Sequence, residues 1–171
     1  MTQLDDGVLD VAVGRSACPI NLCAELLGDR WSVIVLRDLT FRGPLHFREI
    51  LTGSTEGIAT NILTSRLNKL VAAGMLTRHA DEHHRQKVRY HLTEAAIDFV
   101  PVLTAIGAWG NRWLPADPDL GSAAAALAAG GARLQQDLMH ELRREHLDGQ
   151  PLGPDSLRHR LLQNQSSSRG S

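Results

Sequence analysis

The chain of 171 residues is 43% apolar and 22% charged and carries a net charge of −1, the composition of a soluble globular protein with one domain and room for an appendage. Its longest apolar runs are a few residues, against the roughly 20 that a membrane-spanning helix needs, which excludes a membrane protein. The acidic start MTQLDDGVLD has neither the basic nor the apolar region of a secretory signal, so we expect a cytoplasmic location and reduced cysteines.

Positive charge is concentrated in one stretch of the chain. Residues 58–91 hold six Arg or Lys against two acidic residues, a net of +4, whereas residues 1–57 carry a net of −3. Four histidines in the same stretch add charge at lower pH. A local basic region on a near-neutral chain is typical of a small nucleic-acid reader, although a solvated basic face is also common.

The first third of the chain predicts a flexible arm over residues 1–17 and then three helices. The first helix begins at Pro19, where the missing N–H costs nothing, and Gly28 ends it. Asp29 is placed to cap the second helix. The second and third helices are expected over residues 30–39 and 46–51.

The fourth predicted helix, from Ile58 to Ala73, has two different faces. Its apolar residues recur at helical spacing and indicate a core face. The opposite face is nearly uncharged, whereas helices that face only water usually carry Glu and Lys. Arg66 falls near the apolar boundary and could brace a neighbouring helix as readily as touch a ligand. The polar face comprises Asn61, Thr64, Ser65 and Asn68, with Thr60 and Lys69 at its edges.

Two segments with a period of two residues follow, and they predict a β-hairpin. Met75 to Ala80 forms one strand and Lys87 to Leu92 the other, joined by the polar turn DEHHRQ. In the second strand Val88, Tyr90 and Leu92 are expected to pack inward, with Lys87, Arg89 and His91 facing out. Three helices beside a small hairpin are the layout of a winged helix.

The helix that begins at Thr93 is apolar nearly all round, so more than one surface must cover it. The domain core takes one face and we expect a partner subunit to take the other, with a kink at Pro101 where they diverge. An Ala/Gly-rich connector, residues 116–132, then leads to an amphipathic segment. The predicted domains are the winged helix with its dimerisation helices at 18–115, a C-terminal helical extension at 116–165 and a disordered tail at 166–171.

Four segments follow one another along the chain: CPINLCAELLGDRWSVIVLRDL, LHFREI, GIATNILTSRLNKLVAAGML and VRYHLTEAAIDFVPVLTAIGAWG. In this order they resemble the segments of the HxlR-type winged helix-turn-helix transcriptional regulators, which are related to the MarR group. The resemblance covers Cys18 to Trp113, and it implies a mainly α fold with a small β-hairpin and a homodimer on a partly palindromic operator. It places helix 58–73 in the major groove and the hairpin tip in the adjacent minor groove. The wing HHRQKVRY and the turn TFRGPL depart from the family pattern.

The polar face of the fourth helix suits base reading. Asn can contact an adenine edge with two hydrogen bonds, Ser and Thr bond bases or phosphates, and the Thr methyl packs on a thymine methyl. Cations at the hairpin tip suit phosphate or minor-groove contacts. The alternative is that this face contacts only water, on a helix whose residues have intermediate helix propensity. The candidate DNA-binding residues are Thr60, Asn61, Thr64, Ser65, Asn68, Lys69, Arg85 and Lys87.

The two cysteines are candidate redox sensors. Cys18 lies at a helix N-terminus, where the dipole favours a thiolate, and the resemblance places it where some family members carry a sensing cysteine. Cys23 is five residues on, so the two thiols cannot meet within one intact helix. A bond across a dimer is compatible with the geometry, and a buried reduced thiol that acts as a small apolar residue is the alternative.

The function predicted is a sequence-specific DNA-binding regulator, a repressor, that responds to a thiol-redox signal or to a small apolar or electrophilic effector. A candidate effector pocket comprises Phe99, Trp109 and Trp113. The histidines at 79, 83, 84 and 91 offer no metal-ligand spacing and no motif of an enzyme or cofactor site occurs, so we predict no metal, no cofactor and no enzyme. The alternative function is a winged-helix protein-interaction module.

Overall fold

A computed structural model of the chain describes residue 9, residues 16–81 and residues 87–167. The N-terminal helices form as expected: Pro19 opens the first, and the Asp29 carboxylate caps the second by accepting hydrogen bonds from the N–H groups of Trp31 and Ser32 at 3.1 and 3.0 Å. The second helix runs three residues beyond the predicted end. The helices are α1 (Pro19–Leu27), α2 (Arg30–Arg42), α3 (Phe47–Gly53) and α4 (Thr60–Ala72).

A three-stranded antiparallel sheet confirms the predicted hairpin and adds a strand to it. The strands β1 (Leu45–His46), β2 (Leu76–Ala80) and β3 (Val88–Leu92) lie in the order β1-β3-β2. Leu76 lies opposite Leu92 and Leu45 opposite Tyr90. The two residues of β1 are too few to show an alternating pattern, which is why the sequence did not predict this strand. The turn between β2 and β3, with Arg85 and two of the histidines, lies outside the described residues.

The predicted alternation along β3 is partly wrong. Leu92 is buried as expected, but Val88 is 39% exposed because it opens the strand at the wing end, away from the helices that cover Leu92. His91 was expected to face out, and instead its half-buried ring lies edge-on to the ring of His146. His146 comes from the C-terminal extension, so the extension covers a strand face that a minimal winged helix would leave to solvent.

The helix predicted from Thr93 is interrupted, and the predicted connector is wrong. A break at Asp98 and Phe99 precedes the turn that contains Pro101, and the Thr93 hydroxyl caps the short first piece. Residues 118–132, expected to link two segments, are helical because alanine is the strongest helix former, with a bend at Gly131, whose φ is 63°. The elements are α5 (Glu94–Ile97), α6 (Val100–Trp113), α7 (Pro118–His146) and α8 (Leu157–Ser167).

The end of α8 also corrects a prediction. This helix includes residues 166 and 167, which were assigned to a disordered tail, and residues 168–171 lie outside the described residues.

Among the described residues no helix is both long and apolar enough to cross a membrane.

The extension and the winged helix share one hydrophobic core. Leu138 and Leu142 of α7 are fully buried in the same cluster as Leu39 of α2 and Leu67 of α4. Arg143 adds ion pairs to α5, with one nitrogen 2.9 Å from the Asp98 carboxylate. The extension therefore supports the winged helix from the side that carries α2, α5 and β3.

Candidate nucleic-acid interface

Helix α4 presents the predicted polar face to solvent. Leu63, Leu67 and Leu70 are fully buried, so they fix the rotation of the helix against the core. The polar residues on the other side are free of the core and short enough to let the helix approach a surface closely. Thr60, Asn61, Thr64, Ser65 and Asn68 are all exposed.

Asp29 anchors α4 to the rest of the domain. One carboxylate oxygen lies 2.9 Å from Nε of Arg66, and the other accepts a 3.4 Å hydrogen bond from Lys69 Nζ. Burial alone would raise the pKa of Asp29, but hydrogen bonds from Ser32, the charge of Arg66 and a hydrogen bond from Lys69 lower it overall. Of the two roles weighed for Arg66, the structure shows the brace.

Lys69 is more constrained than the sequence indicated. Its Nζ also donates to the Glu25 carbonyl oxygen at 3.0 Å, so the side chain lies across the junction of α1 and α4. A contact between Lys69 and DNA stays a prediction. To make it, the Lys69 ammonium would have to share or leave its present partners, the Glu25 carbonyl oxygen and the Asp29 carboxylate.

Arg78 of β2 belongs to this surface and was missed by the sequence reasoning. Its guanidinium donates to Oδ1 of Asn68 and lies 5.8 Å from the centre of the Tyr90 ring. The sequence does show a cation in the exposed strand β2. The proximity of Arg78 to α4, however, depends on how the hairpin packs against that helix, which the sequence does not reveal. With Oδ1 occupied, Asn68 presents mainly its amide N–H groups, whereas no hydrogen bond engages the side chain of Asn61 among the described residues, so Asn61 retains both donor and acceptor.

The base of the wing is held by a carboxylate. Asp81 lies 2.9 Å from Nε of Arg89 and 2.9 Å from Nε2 of His46, and Arg89 also donates to the Pro44 carbonyl oxygen at 3.2 Å. Arg89 is therefore tied to β1, while Lys87 is exposed at the start of β3. Arg85, the other predicted wing contact, lies outside the described residues.

Both cysteines are exposed free thiols in the chain, which contradicts the alternative of a buried thiol that acts as a small apolar residue. Cys18 occupies the N-cap of α1, and the backbone N–H groups of Asn21 and Ile20 lower the pKa of its thiol. Cys23 lines a shallow apolar groove between α1 and α6. They lie on one helix and are not bonded to each other.

The three aromatic residues proposed to line an effector pocket are not brought together. Phe99 is half-buried and lines the α1–α6 groove, whereas Trp109 and Trp113 are 59% and 63% exposed and do not line that groove. Within the same part of the chain, no group of three or more His, Cys, Asp or Glu is arranged to hold a metal ion.

The winged-helix region matches known regulators. The uncharacterised HTH-type transcriptional regulator sll1512 of Synechocystis is 35% identical over 97 residues, which are 57% of this chain and 70% of that protein. The uncharacterised HTH-type regulator Mb3122 of Mycobacterium bovis is 33% identical over 96 residues, which are 56% of this chain and 59% of its own length.

Solved structures match over the same region. The reduced form of the transcriptional regulator YodB from B. subtilis has a TM-score of 0.50 and 30% identity, and the match covers 60% of this chain and 100% of YodB. The candidate transcription factor PA1607 has a TM-score of 0.54 and 32% identity over 60% of this chain and 69% of its own. The HxlR-like helix-turn-helix family model matches residues 26–118, and with these relatives it shows that the chain belongs to this family of DNA-binding transcriptional regulators.

Proposed function

We propose that the protein is a homodimeric, sequence-specific repressor that inserts α4 into the major groove of its operator. The observation that carries the proposal is the exposed, uncharged face of α4, on which Asn61 and Ser65 can meet base edges. The Thr64 hydroxyl donates to the Thr60 carbonyl oxygen at 2.9 Å, and its oxygen and methyl group stay available to a base. Arg78 contacts this face through Asn68, and Lys87 is exposed beside the start of β3; both cations suit contacts to the phosphate backbone. Asp29 supports the arrangement because it fixes α4 against the N-terminus of α2.

An apolar surface on α1 and α6 supports the dimer. Ile20 is 81% exposed, and Val102, Ile106, Trp109 and Trp113 are each at least 45% exposed. Monomeric proteins rarely leave such a surface open to water. Helices α7 and α8 do not cover it, so a second copy of the chain is free to pack there and to place two α4 helices on one operator.

Two signals remain in competition within this proposal. The lowered pKa of Cys18 and its exposure favour a thiol switch, in line with a relative whose structure is of a reduced form. In that case an oxidant changes operator affinity and Cys18→Ser abolishes the change, which a gel-shift titration with and without peroxide measures. A natural chain that does not respond to peroxide or quinones would favour a small-molecule effector. An unchanged peroxide response in Cys18→Ser would assign the sensing to another residue, such as the exposed Cys23.

The experiment that tests the function is a gel-shift titration of the full chain on the DNA upstream of its own and neighbouring genes. It is run at two salt concentrations and against random DNA of equal length. We expect specific binding at least about a thousandfold tighter than binding to random DNA. Equal affinity for both DNAs would contradict the proposal and favour a protein-interaction module instead.

A further inference from the structure

A pocket of about 310 Å³ lies between α2, α6 and α7. Its walls are mostly aliphatic and include Ile34, Leu103 and Leu127. The size and character of the pocket suit a small ligand with an apolar body. One wall comes from α7, which starts at the end of the region matched by the family model, so the pocket depends on the extension.

One charged side chain, Arg37 of α2, lines this pocket among the described residues. Its guanidinium donates two hydrogen bonds to the Glu56 carboxylate, at 2.5 and 3.1 Å, and another to the Asp38 carboxylate at 2.9 Å. The Arg37 side chain is nevertheless 36% exposed. An otherwise apolar pocket with a guanidinium at its wall is complementary to an amphiphilic anion.

Glu56 connects the pocket to the recognition helix. It lies in the turn between α3 and α4, four residues before α4 begins, and Arg37 holds that turn against α2. Burial of the Glu56 side chain is incomplete, since 23% of it remains exposed. If another carboxylate took its place on Arg37, Glu56 could return to water and the turn would lose this anchor.

We propose that the pocket binds a small aliphatic monocarboxylate, whose chain lies between α6 and α7 and whose carboxylate replaces Glu56 on Arg37. The inference rests on the proposed operator binding, because its consequence is that the turn before α4 is released and operator affinity falls. The exchange keeps Arg37 paired with a carboxylate, and burial of the aliphatic chain favours it. A neutral alcohol of the same length fills the pocket without displacing Glu56.

The test uses octanoate and octanol as probes on the full chain, by isothermal titration without DNA. We expect octanoate to bind at least tenfold more tightly than octanol. Leu103→Phe fills the pocket and should weaken octanoate binding at least tenfold, whereas Leu147→Phe, the same change on an exposed residue outside this pocket, should leave it unchanged. Equal binding of both probes, or unchanged binding by Leu103→Phe, would overturn the proposal.

A second variant tests the exchange at Arg37. Glu56→Gln weakens the internal competitor, so it should bind octanoate several-fold more tightly and bind the operator several-fold more weakly when no octanoate is present. If Glu56→Gln binds octanoate no better than the natural chain, the exchange is wrong even where the pocket is occupied. Octanoate binding by a chain that shows no operator preference would contradict the proposed function and leave the ligand site standing.

Discussion

Two asparagines of α4 that look equivalent in the sequence differ in their chemistry. Asn68 accepts a hydrogen bond from Arg78, whereas no hydrogen bond engages the side chain of Asn61 within the described part of the chain. Reading an adenine edge takes one donor and one acceptor from the same amide. Asn61 is therefore the better placed of the two to specify a base, and Asn68 to orient Arg78.

This difference predicts the outcome of single substitutions. Asn61→Ala should reduce the discrimination between operator and random DNA by about 1–3 kcal/mol, because a base contact is lost. Lys87→Ala should weaken binding to both DNAs and lower the salt slope by about 1, because a phosphate contact carries no sequence information. Fluorescence anisotropy at several salt concentrations measures both effects. A loss of equal size on both DNAs for Asn61→Ala would refute its assignment to a base.

At the scale of elements, the junction of α1, α2 and α4 depends on one carboxylate. Asp29 caps α2 through the N–H groups of Trp31 and Ser32, and it pairs with Arg66 and Lys69 of α4. The two roles can be separated by substitution, because asparagine keeps a capping oxygen but has no charge.

We expect Asp29→Ala to lower the free energy of unfolding by about 2 kcal/mol, from loss of the cap and of the ion pairs. Asp29→Asn keeps the cap and should cost no more than about 1 kcal/mol. Urea denaturation of both variants measures the difference. Equal destabilisation by the two variants would show that the ion pairs, rather than the cap, provide the stability.

Hydrophobic periodicity was sufficient to predict the elements that have one buried face and one solvent-exposed face. It located α4 with its exposed polar face, and the hairpin behind it. It failed where composition misled, as in the Ala-rich start of α7, where the helix propensity of alanine and packing against α6 give a helix instead of a connector. It also could not reveal pairs that are distant in sequence, such as Arg78 with Asn68 or Arg37 with Glu56, because these depend on how whole elements pack.

At the scale of the molecule, the extension is joined to the sheet through a buried histidine. The N–H of Leu92 donates to Nδ1 of His146 at 3.0 Å, and the His146 side chain is fully buried. Burial lowers the pKa of His146 from 6.5 to about 3, and the neighbouring His91 and Arg158 act in the same direction. The hydrogen bond from Leu92 therefore requires a neutral His146 ring, since protonation of Nδ1 would remove the acceptor.

The free energy of unfolding should depend on pH through the protonation of His146. Between pH 6.5 and about 3 the unfolded chain binds a proton at residue 146 that the folded chain does not, so stability falls as the pH falls through this window, by up to about 1.4 kcal/mol per pH unit. His146→Gln retains an acceptor without this titration and should show a shallower decline. Urea denaturation at pH 7 and pH 5 provides the comparison. Parallel declines in both proteins would assign the pH dependence to other groups.

The proposed dimer predicts how a charge on the apolar surface of α1 and α6 would act. Ile106 of α6 is 47% exposed beside Val102 and Ile20, in the middle of the face proposed for the second copy. A charge at this position would be buried without a partner in the dimer but would remain in water in the monomer. We therefore expect Ile106→Glu to be a folded monomer by light scattering, with operator binding at least tenfold weaker because one α4 meets one half-site. Leu147→Glu, an exposed leucine outside this face, is the matched control and should remain dimeric. A dimeric Ile106→Glu would move the interface elsewhere on the molecule.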